Sequence, residues 1–330
     1  MIKKFNKNIY LATILSLLMC ANASWAQNTQ GTQNYPNKTI RIIVALAPGG
    51  GVDTAARMLG QRFTEAWGQQ VVVEERGGGG GMLSAETVSR ATPDGYTLLL
   101  ATGTHTISPN YFKLSYDMQR DFTAVSLLGT ITFILSVHPS LPVNNVQELI
   151  ALARAKPGTL NYTSGGNGSP GHIIMEYLRL KAPMNVVHVP YKSVGQAITG
   201  LIGNQAQIMF GVSPASVPQI KAGRLRGLAV STLKRSAAMP DLPTLVEAGI
   251  PDFDAAAWNG LMVPAKTPRD IVSKLHAKVT ADLKLPDVIE RTQGLGFENI
   301  GSTPVEFANH LKAELDKWAR VAKATGAKAE

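Results

Sequence analysis

The sequence predicts an α/β protein of two lobes with a ligand cleft between them. Short apolar stretches alternate with helical segments along the 330-residue chain, which is typical of sheets built on parallel strands. Two of these stretches lead into glycine-rich turns, at 48–51 and 164–171, and a helical segment follows each turn. Ligands bind at the carboxyl ends of strands in open α/β sheets, so we expect both turns to face the cleft.

Residues 1–26 have the composition of an export signal. Three lysines precede an apolar run at 11–19, and Ser24 and Ala26 supply small residues around a cleavage site. The run is too short to span a bilayer, so a retained membrane anchor is the weaker alternative. We expect a signal peptide over 1–26, cleaved near Ala26 or alternatively after Ala23, and a flexible leader over 27–35.

Composition limits what the mature protein can do. Its sole cysteine, Cys20, lies within the predicted signal, so disulfides, thiolate catalysis and cysteine-ligated metals are not expected. The formal charge falls from +9 to +6 when the three lysines of residues 1–26 are removed, and no run of Lys or Arg marks a nucleic-acid surface. We therefore expect no nucleic-acid partner and only weak steering of small anions.

The first predicted lobe contains residues 36–133 and 253–330. Apolar runs rich in Val, Ile and Leu predict its strands, and Pro93-Asp94-Gly95 predicts a turn. In chain order we expect strand 40–47, helix 52–67, strand 71–75, helix 82–91, strand 96–101, strands 125–128 and 133–137 around the crossing to the second lobe, and, after the chain returns near 253, helices 268–283 and 303–325.

The second predicted lobe contains residues 134–252. It repeats the alternation of strand and helix, and its second element enters the second glycine turn. In chain order we expect helix 146–155, strand 160–164, helix 172–181, strand 186–189, helix 194–202, and strands 208–211 and 225–231.

Both glycine turns have the features of anion sites without a cation. Each directs backbone N–H groups and a helix N-terminus at whatever lies in front of it, which favours a carboxylate or a phosphate. A dinucleotide fingerprint fails because Thr54 stands where its third glycine is required, and no glycine is followed by the Lys-Ser/Thr pair of a P-loop. The turns therefore predict binding of an anion other than a nucleotide.

Enzyme motifs are present only in fragments. Residues 211–215 approach a nucleophile elbow around Ser213 but end in Ala215 instead of glycine, and Ser231 begins a short S-x-x-K match. A secreted serine hydrolase using Ser213 or Ser231 remains the alternative function. The histidines form no metal-binding motif, so neither a metal nor a cofactor is expected.

Three further polar residues have two interpretations each. Asp53 either simply caps a helix, or has a functional role in which it holds the first turn in shape or bonds a ligand hydroxyl or ammonium group. His105 and His172 lie where a strand ends and where a helix begins, so each either faces the cleft or is a buried structural histidine. The sequence alone leaves these alternatives open.

Six ordered motifs give the chain a resemblance to a known family. It resembles the solute-binding proteins of the tripartite tricarboxylate transporter system, the Bug or TctC-like family, over essentially the whole mature chain. The motifs are APGGGVD at 47–53, ATPDGYTLL at 91–99, SPGH at 169–172, HVPYK at 188–192, DLPT at 241–244 and WNGL at 258–261.

The resemblance implies a periplasmic, type II-like binding protein that is not an enzyme. Such a receptor captures a small di- or tricarboxylate, or an aromatic carboxylate, between two lobes and delivers it to membrane permease subunits as a monomer. A sensor protein is a further possible partner, and a purely structural or signalling role is a third hypothesis.

The resemblance also implies which residues hold the ligand. The first-lobe set is Gly49, Gly50, Gly51, Val52, Asp53, Thr104 and His105, and the second-lobe set is Ser164, Gly165, Asn167, Gly168 and Ser169, with Tyr191 and Ser213 as weaker candidates. Leu46 stands where the family commonly has phenylalanine, so a bulkier ligand is expected to fit if this residue lines the pocket.

Overall fold

The computed structural model describes residues 34–45, 51–77, 81–294 and 296–325. The predicted signal peptide, Leu46 and the turn residues Gly49 and Gly50 lie outside these ranges. In the described part of the chain, no helix is long and apolar enough to cross a membrane.

Ten strands of the described residues form one mixed sheet, and helices cover it. The strands are β1 Ile40–Val44, β2 Val71–Glu75, β3 Thr97–Thr102, β4 Phe122–Val137, β5 Leu160–Ser164, β6 Val186–Pro190, β7 Ile208–Val212, β8 Arg226–Val230, β9 Ala256–Pro264 and β10 Phe297–Asn299. The helices are α1 Gly51–Trp67, α2 Met82–Ser89, α3 Thr104–Ile107, α4 Val146–Ala155, α5 Pro170–Lys181, α6 Val194–Ile202, α7 Ser213–Lys221, α8 Arg269–Asp282, α9 Pro286–Gly294 and α10 Pro304–Thr325.

The sheet confirms the α/β class and divides into two lobes. Its main path runs β2-β1-β3-β9-β4-β7-β5-β6. Strand β1 pairs in parallel with β2 and β3 in the first lobe, and β5 pairs in parallel with β6 and β7 in the second. The strands that join the lobes are antiparallel, because β9 runs against both β3 and β4, and β4 against β7.

The prediction of separate strands at 125–128 and 133–137 was wrong, since β4 is one strand of 16 residues. It pairs with β9 up to Thr132 and with β7 from Phe133 onwards, so it passes from one lobe to the other without a break. Gly129 made the segment resemble two strands. A Cβ at Gly129 would lie 2.5 Å from the carbonyl oxygen of Glu298, so the glycine admits β10 beside a bulge in the ladder.

The C-terminal helix α10 packs against both lobes. Its first half places Phe307 and Leu311 in the core of the first lobe, together with Trp258. Its second half places Trp318 and Val321 in the core of the second lobe. The helix therefore runs along the junction behind the cleft.

The predicted leader is shorter than expected at its carboxyl end. Tyr35 is buried, with its ring 5.0 Å from that of Tyr96 and its hydroxyl donating to the carbonyl oxygen of Gly95 at 2.8 Å. Aromatic contacts and this hydrogen bond fix Tyr35, five residues before β1 begins at Ile40.

Candidate ligand-binding site

A cavity of about 480 Å³ lies between the two lobes at the carboxyl ends of the strands. The first lobe and the crossing strands contribute Val52, Thr102, Gly103, Thr104, Ile107, Ile131, Ala256, Ala257, Trp258 and Asn259 to its lining. The remaining lining residues are Phe133, Gly165, Ser169, Pro170, Gly171, Ile174, Val194, Met209, Phe210, Val212, Pro214, Ala215, Glu314 and Trp318. A more open groove of about 780 Å³ lies around α8, α9 and β10, and no residue of the second glycine turn lines it.

Three helices point their N-termini into the cavity. Val52 in the first turn of α1, Gly171 in the first turn of α5 and Ala215 in the first turn of α7 all line it. The N–H groups of a first helical turn have no intrahelical acceptor and carry a partial positive charge. The cavity is therefore a favourable place for an anion although no cationic side chain lines it among the described residues.

Two buried polar atoms in the lining have no hydrogen-bond partner among the described residues. One is the hydroxyl oxygen of Ser169, which is the N-cap residue of α5 but makes no capping bond. The other is the amide nitrogen Nδ2 of Asn259, on β9 in the opposite lobe. Buried polar groups are normally paired, so both atoms are candidates for bonds to a ligand.

The second glycine turn is held from behind by histidines. The hydroxyl of Ser164 lies 2.7 Å from Nε2 of His188 and accepts from the N–H of Gly166 at 3.2 Å. The N–H of Gly168 donates to Nδ1 of His172 at 3.0 Å. Gly168 has φ +73°, a conformation that strains other residues. Ser164 and Gly168 thus shape the turn and do not line the cavity.

The two histidines behind the second glycine turn, His172 and His188, are in surroundings that favour their neutral forms. Burial, together with the neighbouring His172, lowers the pKa of His188 to about 4, and burial also lowers the pKa of His172. A neutral His172 keeps the lone pair that accepts from Gly168. On the far side, the Tyr162 ring stacks on His188 at 4.6 Å and its hydroxyl donates to Glu176 at 2.6 Å.

Asp53 and His105 of the predicted first-lobe set support the site from outside the lining. The Asp53 carboxylate pairs with Arg57 at 2.9 Å one turn along α1. Nδ1 of His105 accepts from the N–H of Thr102 at 3.0 Å, and its Nε2 lies 3.1 Å from the Ser84 hydroxyl. Burial lowers the pKa of His105 to about 4. The bonds of His105 fix the end of β3 and the start of α2, so the structural interpretation suits His105.

Three second-lobe candidates also lie away from the cavity lining. Asn167 is exposed at the tip of its turn. The Tyr191 hydroxyl donates to Gln205 at 2.8 Å. Ser213 is buried on the side facing Gly296, where a Cβ would come within 2.9 Å of its hydroxyl. Of the predicted set, Val52, Thr104, Gly165 and Ser169 line the cavity, and Gly51 begins α1 beside it.

The sequence-based site set omitted three lining residues whose side chains have a hydroxyl, amide or carboxylate group: Thr102, Asn259 and Glu314. Asn259 lies opposite Thr102 in the β3–β9 ladder. Glu314 of α10 accepts at Oε2 from the indole N–H of Trp258 at 3.3 Å and from that of Trp318 at 2.8 Å. The WNGL motif was a signal for Asn259, but nothing local marked Glu314, because its place depends on how α10 crosses the junction.

No group of three or more metal-binding side chains is assembled among the residues that the structure describes. Three Ser–His pairs occur there: Ser84 with His105, Ser164 with His188, and the exposed pair Ser140 with His138. None of these serines lines the cavity.

Two α/β lobes enclose a cavity into which helix N-termini point. This arrangement defines a solute-binding receptor fold. Residues 55–327 match the family model described as "Tripartite tricarboxylate transporter family receptor", TctC. The chain therefore belongs to the TctC receptor family.

Similar proteins support this assignment over nearly the whole length. Protein BugT of Bordetella pertussis is 31% identical, over 89% of this chain and 91% of BugT. The structure of R. palustris Rpa4515 with adipate has a TM-score of 0.78 and 33% identity, covering 89% of this chain and 100% of that one. The structure of the periplasmic binding protein BugD has a TM-score of 0.75 and 30% identity, covering 89% of this chain and 100% of that one.

Proposed function

We propose that this protein is a periplasmic receptor that binds a small carboxylate between its lobes and delivers it to the membrane permease subunits of its transport system. The observation that carries the proposal is the pair of unpartnered polar atoms, Ser169 Oγ and Asn259 Nδ2, on opposite walls of a cavity supplied by three helix N-termini. The adipate-bound relative supports a carboxylate as the cargo.

The ligand contacts follow from that arrangement. In the second lobe, Ser169 and the N–H groups at the start of α5 bind the carboxylate, with Gly165 allowing close approach. In the first lobe, Asn259, Thr104 and the start of α1 at Val52 complete the site. The glycines at 49–51, at the predicted first turn, add backbone donors.

The free energy needed for tight binding requires ligand contacts from both lobes. A helix N-terminus contributes roughly 0.3–2 kcal/mol toward an anion, and a charge-assisted hydrogen bond about 1.5–3 kcal/mol. Micromolar affinity needs about 8 kcal/mol net, so one lobe is insufficient once the costs of binding are counted. A ligand that touches both lobes stabilises the closed form selectively, and we propose that the permease recognises that form.

Neutral donors suit a receptor that must release its cargo. A desolvated Arg–carboxylate pair would be costly to break and would leave a buried charge in the empty protein. N–H, hydroxyl and amide donors avoid both costs. This is why the absence of a cation from the described lining is compatible with anion binding.

The hydrolase alternative is disfavoured by the surroundings of its candidate nucleophiles. The Ser231 hydroxyl donates to the carbonyl oxygen of Ala255 and accepts from the N–H of Phe133, so it is a buried structural group. Ser213 is buried outside the cavity lining. Neither arrangement presents an activated nucleophile to a substrate, and we propose a binding function without turnover.

The proposal includes export and processing. A signal peptide over 1–26 would direct the chain to the periplasm, with cleavage near Ala26. We propose that the mature receptor acts as a monomer, since residues from both lobes of a single chain suffice to line the cavity. A sensor that recognises the closed receptor is a compatible further partner.

A thermal-shift screen of small carboxylates tests the function. Ligands that bind the folded state raise its melting temperature, and the best of them should do so in proportion to the logarithm of concentration. The same preparation should leave chromogenic esters unhydrolysed. Hydrolysis without any carboxylate-dependent shift would replace the receptor by the hydrolase.

A further inference from the structure

We propose that the cavity selects monocarboxylates with an apolar body, aromatic or alkyl, over dicarboxylates of matched length. This inference rests on the proposed function and narrows its ligand class. It depends on which groups line the cavity and on which of their donors are already used.

The first step is the shortage of polar groups. Among the described lining residues, only Thr102, Thr104, Ser169, Asn259 and Glu314 carry a hydroxyl, amide or carboxylate. The stretches 46–50 and 78–80, which the structure does not describe, contain only Leu, Ala, Pro and Gly and so have no ionic side chain. The side chains available for an anion are therefore few and neutral.

The second step is that the neutral groups make up one polar anchor. Thr102 lies opposite Asn259 in the β3–β9 ladder, and its hydroxyl lies 2.7 Å from that of Thr104. The opposite lobe supplies the Ser169 hydroxyl. The three neighbouring first-lobe side chains and one serine match the needs of a single carboxylate.

The third step concerns Glu314, whose carboxylate occupies donors that a second ligand carboxylate would need. Both indole N–H groups at this wall, those of Trp258 and Trp318, donate to Oε2 of Glu314. The other oxygen, Oε1, pairs with Lys317. A ligand carboxylate placed here would meet acceptor oxygens and no available indole donor, which disfavours it strongly.

The fourth step is the apolar surface that remains. Ile131, Phe133, Ile174, Met209 and Phe210 line the cavity with hydrocarbon, aromatic and thioether groups. Aromatic and aliphatic ligand bodies gain from burial against such groups and from edge-to-face contacts with the rings. The charged end of a short dicarboxylate would lose its hydration there with no polar side chain among these five to replace it.

Matched ligand pairs test the inference by calorimetry on the mature protein. 4-Methylbenzoate is compared with terephthalate, and hexanoate with adipate, because in each pair a methyl group stands in place of one carboxylate and the lengths are similar. We expect the monocarboxylate to bind at least tenfold more tightly in both pairs. Equal or tighter binding of terephthalate and adipate would overturn the inference while leaving the receptor function intact. Binding of no carboxylate at all would overturn the proposed function itself.

The Glu314→Gln variant tests the cause. The substitution removes the negative charge and supplies an amide donor, so the preference for the monocarboxylate should shrink at least threefold. A preference unchanged in a folded variant would contradict the role of Glu314. If the variant fails to fold, the ligand pairs on the unaltered protein still decide whether the selectivity exists.

Discussion

The imidazole rings of His172 and His188 stack with centroids 4.1 Å apart and planes inclined by 2°. Each ring also holds the second glycine turn, His172 through the N–H of Gly168 and His188 through the hydroxyl of Ser164. Two imidazolium rings at that separation would repel one another, and the protonated His172 would lose its acceptor for Gly168. The turn therefore depends on both histidines being neutral.

Stability should fall in mild acid. The pKa values of His105 and His188 are lowered to about 4 from the usual 6.5, and those of His172 and His310 are lowered as well. Below pH 6.5 the unfolded chain binds protons that the folded protein does not, so stability is fully present above about pH 6.5 and is lost as the pH falls toward 4. Calorimetric melting temperatures between pH 8 and 5 check this.

A histidine variant separates this effect from general acid sensitivity. His188→Asn should have a shallower loss of melting temperature between pH 6.5 and 5 than the unaltered protein, because one acid-sensitive group is gone. Identical slopes would show that His188 does not contribute.

Ser169→Ala should weaken carboxylate binding without destabilising the fold. Its hydroxyl makes no bond within the described residues, so the loss appears only with ligand, at about 1–3 kcal/mol. Titration calorimetry measures the affinity, and thermal melting measures the fold.

The matched control is Asn145→Ala. Asn145 caps α4 by accepting from the N–H of Glu148 at 2.9 Å, away from the cavity lining. This variant should lose about 1 kcal/mol of stability and keep its affinity. If Ser169→Ala kept its affinity while Asn145→Ala lost affinity, Ser169 would not belong to the binding site.

Gly171→Ala should disturb both stability and binding. A Cβ at Gly171 would lie 2.7 Å from the carbonyl oxygen of Phe210, so the start of α5 must move away from β7, at a cost of about 1–3 kcal/mol. Gly195→Ala is the control, because a Cβ there meets nothing within 4 Å and should stabilise α6 slightly. Chemical unfolding and titration of both variants test the close packing.

Tryptophan fluorescence should report ligand binding. Trp258 and Trp318 line the cavity, whereas Trp67 packs on Phe63 in the first lobe with ring centroids 4.6 Å apart. A ligand should change the emission of the unaltered protein and of Trp67→Phe, and change it less in Trp318→Phe, where Trp258 is the remaining cavity tryptophan. No change of emission in Trp67→Phe at a saturating ligand concentration would argue that the ligand binds elsewhere.

Much of the fold was predictable because its signals are local. Helix α4 and strand β5 have the predicted bounds, since apolar periodicity and a cap or turn mark them. Helix α7 was missed because prolines at 214 and 218 hide a helix that tolerates the first of them near its N-terminus. Strand β9 was also missed. It is held by antiparallel pairing with β3 and β4, which are distant in sequence, so no local signal marks it.

Only the part of the candidate site that lies within a single sequence motif could be predicted. The cap position of Ser169 and the glycine turn around it are visible in the sequence. Whether Ser164 faces the ligand or His188, and whether His105 lines the cavity or packs against Ser84, depends on side-chain direction within the fold. Glu314 joins the site only because α10 places it between two tryptophans.

The most direct test of a carboxylate held between the lobes is titration calorimetry of the double variant Ser169→Ala with Asn259→Leu. The two substitutions remove one unpartnered polar atom from each wall and leave both glycine turns in place. With the best carboxylate from the screen, we predict micromolar binding by the unaltered protein and a loss of at least 100-fold in the double variant, whose melting temperature stays close to normal. A folded double variant that binds as tightly as the unaltered protein would contradict the account.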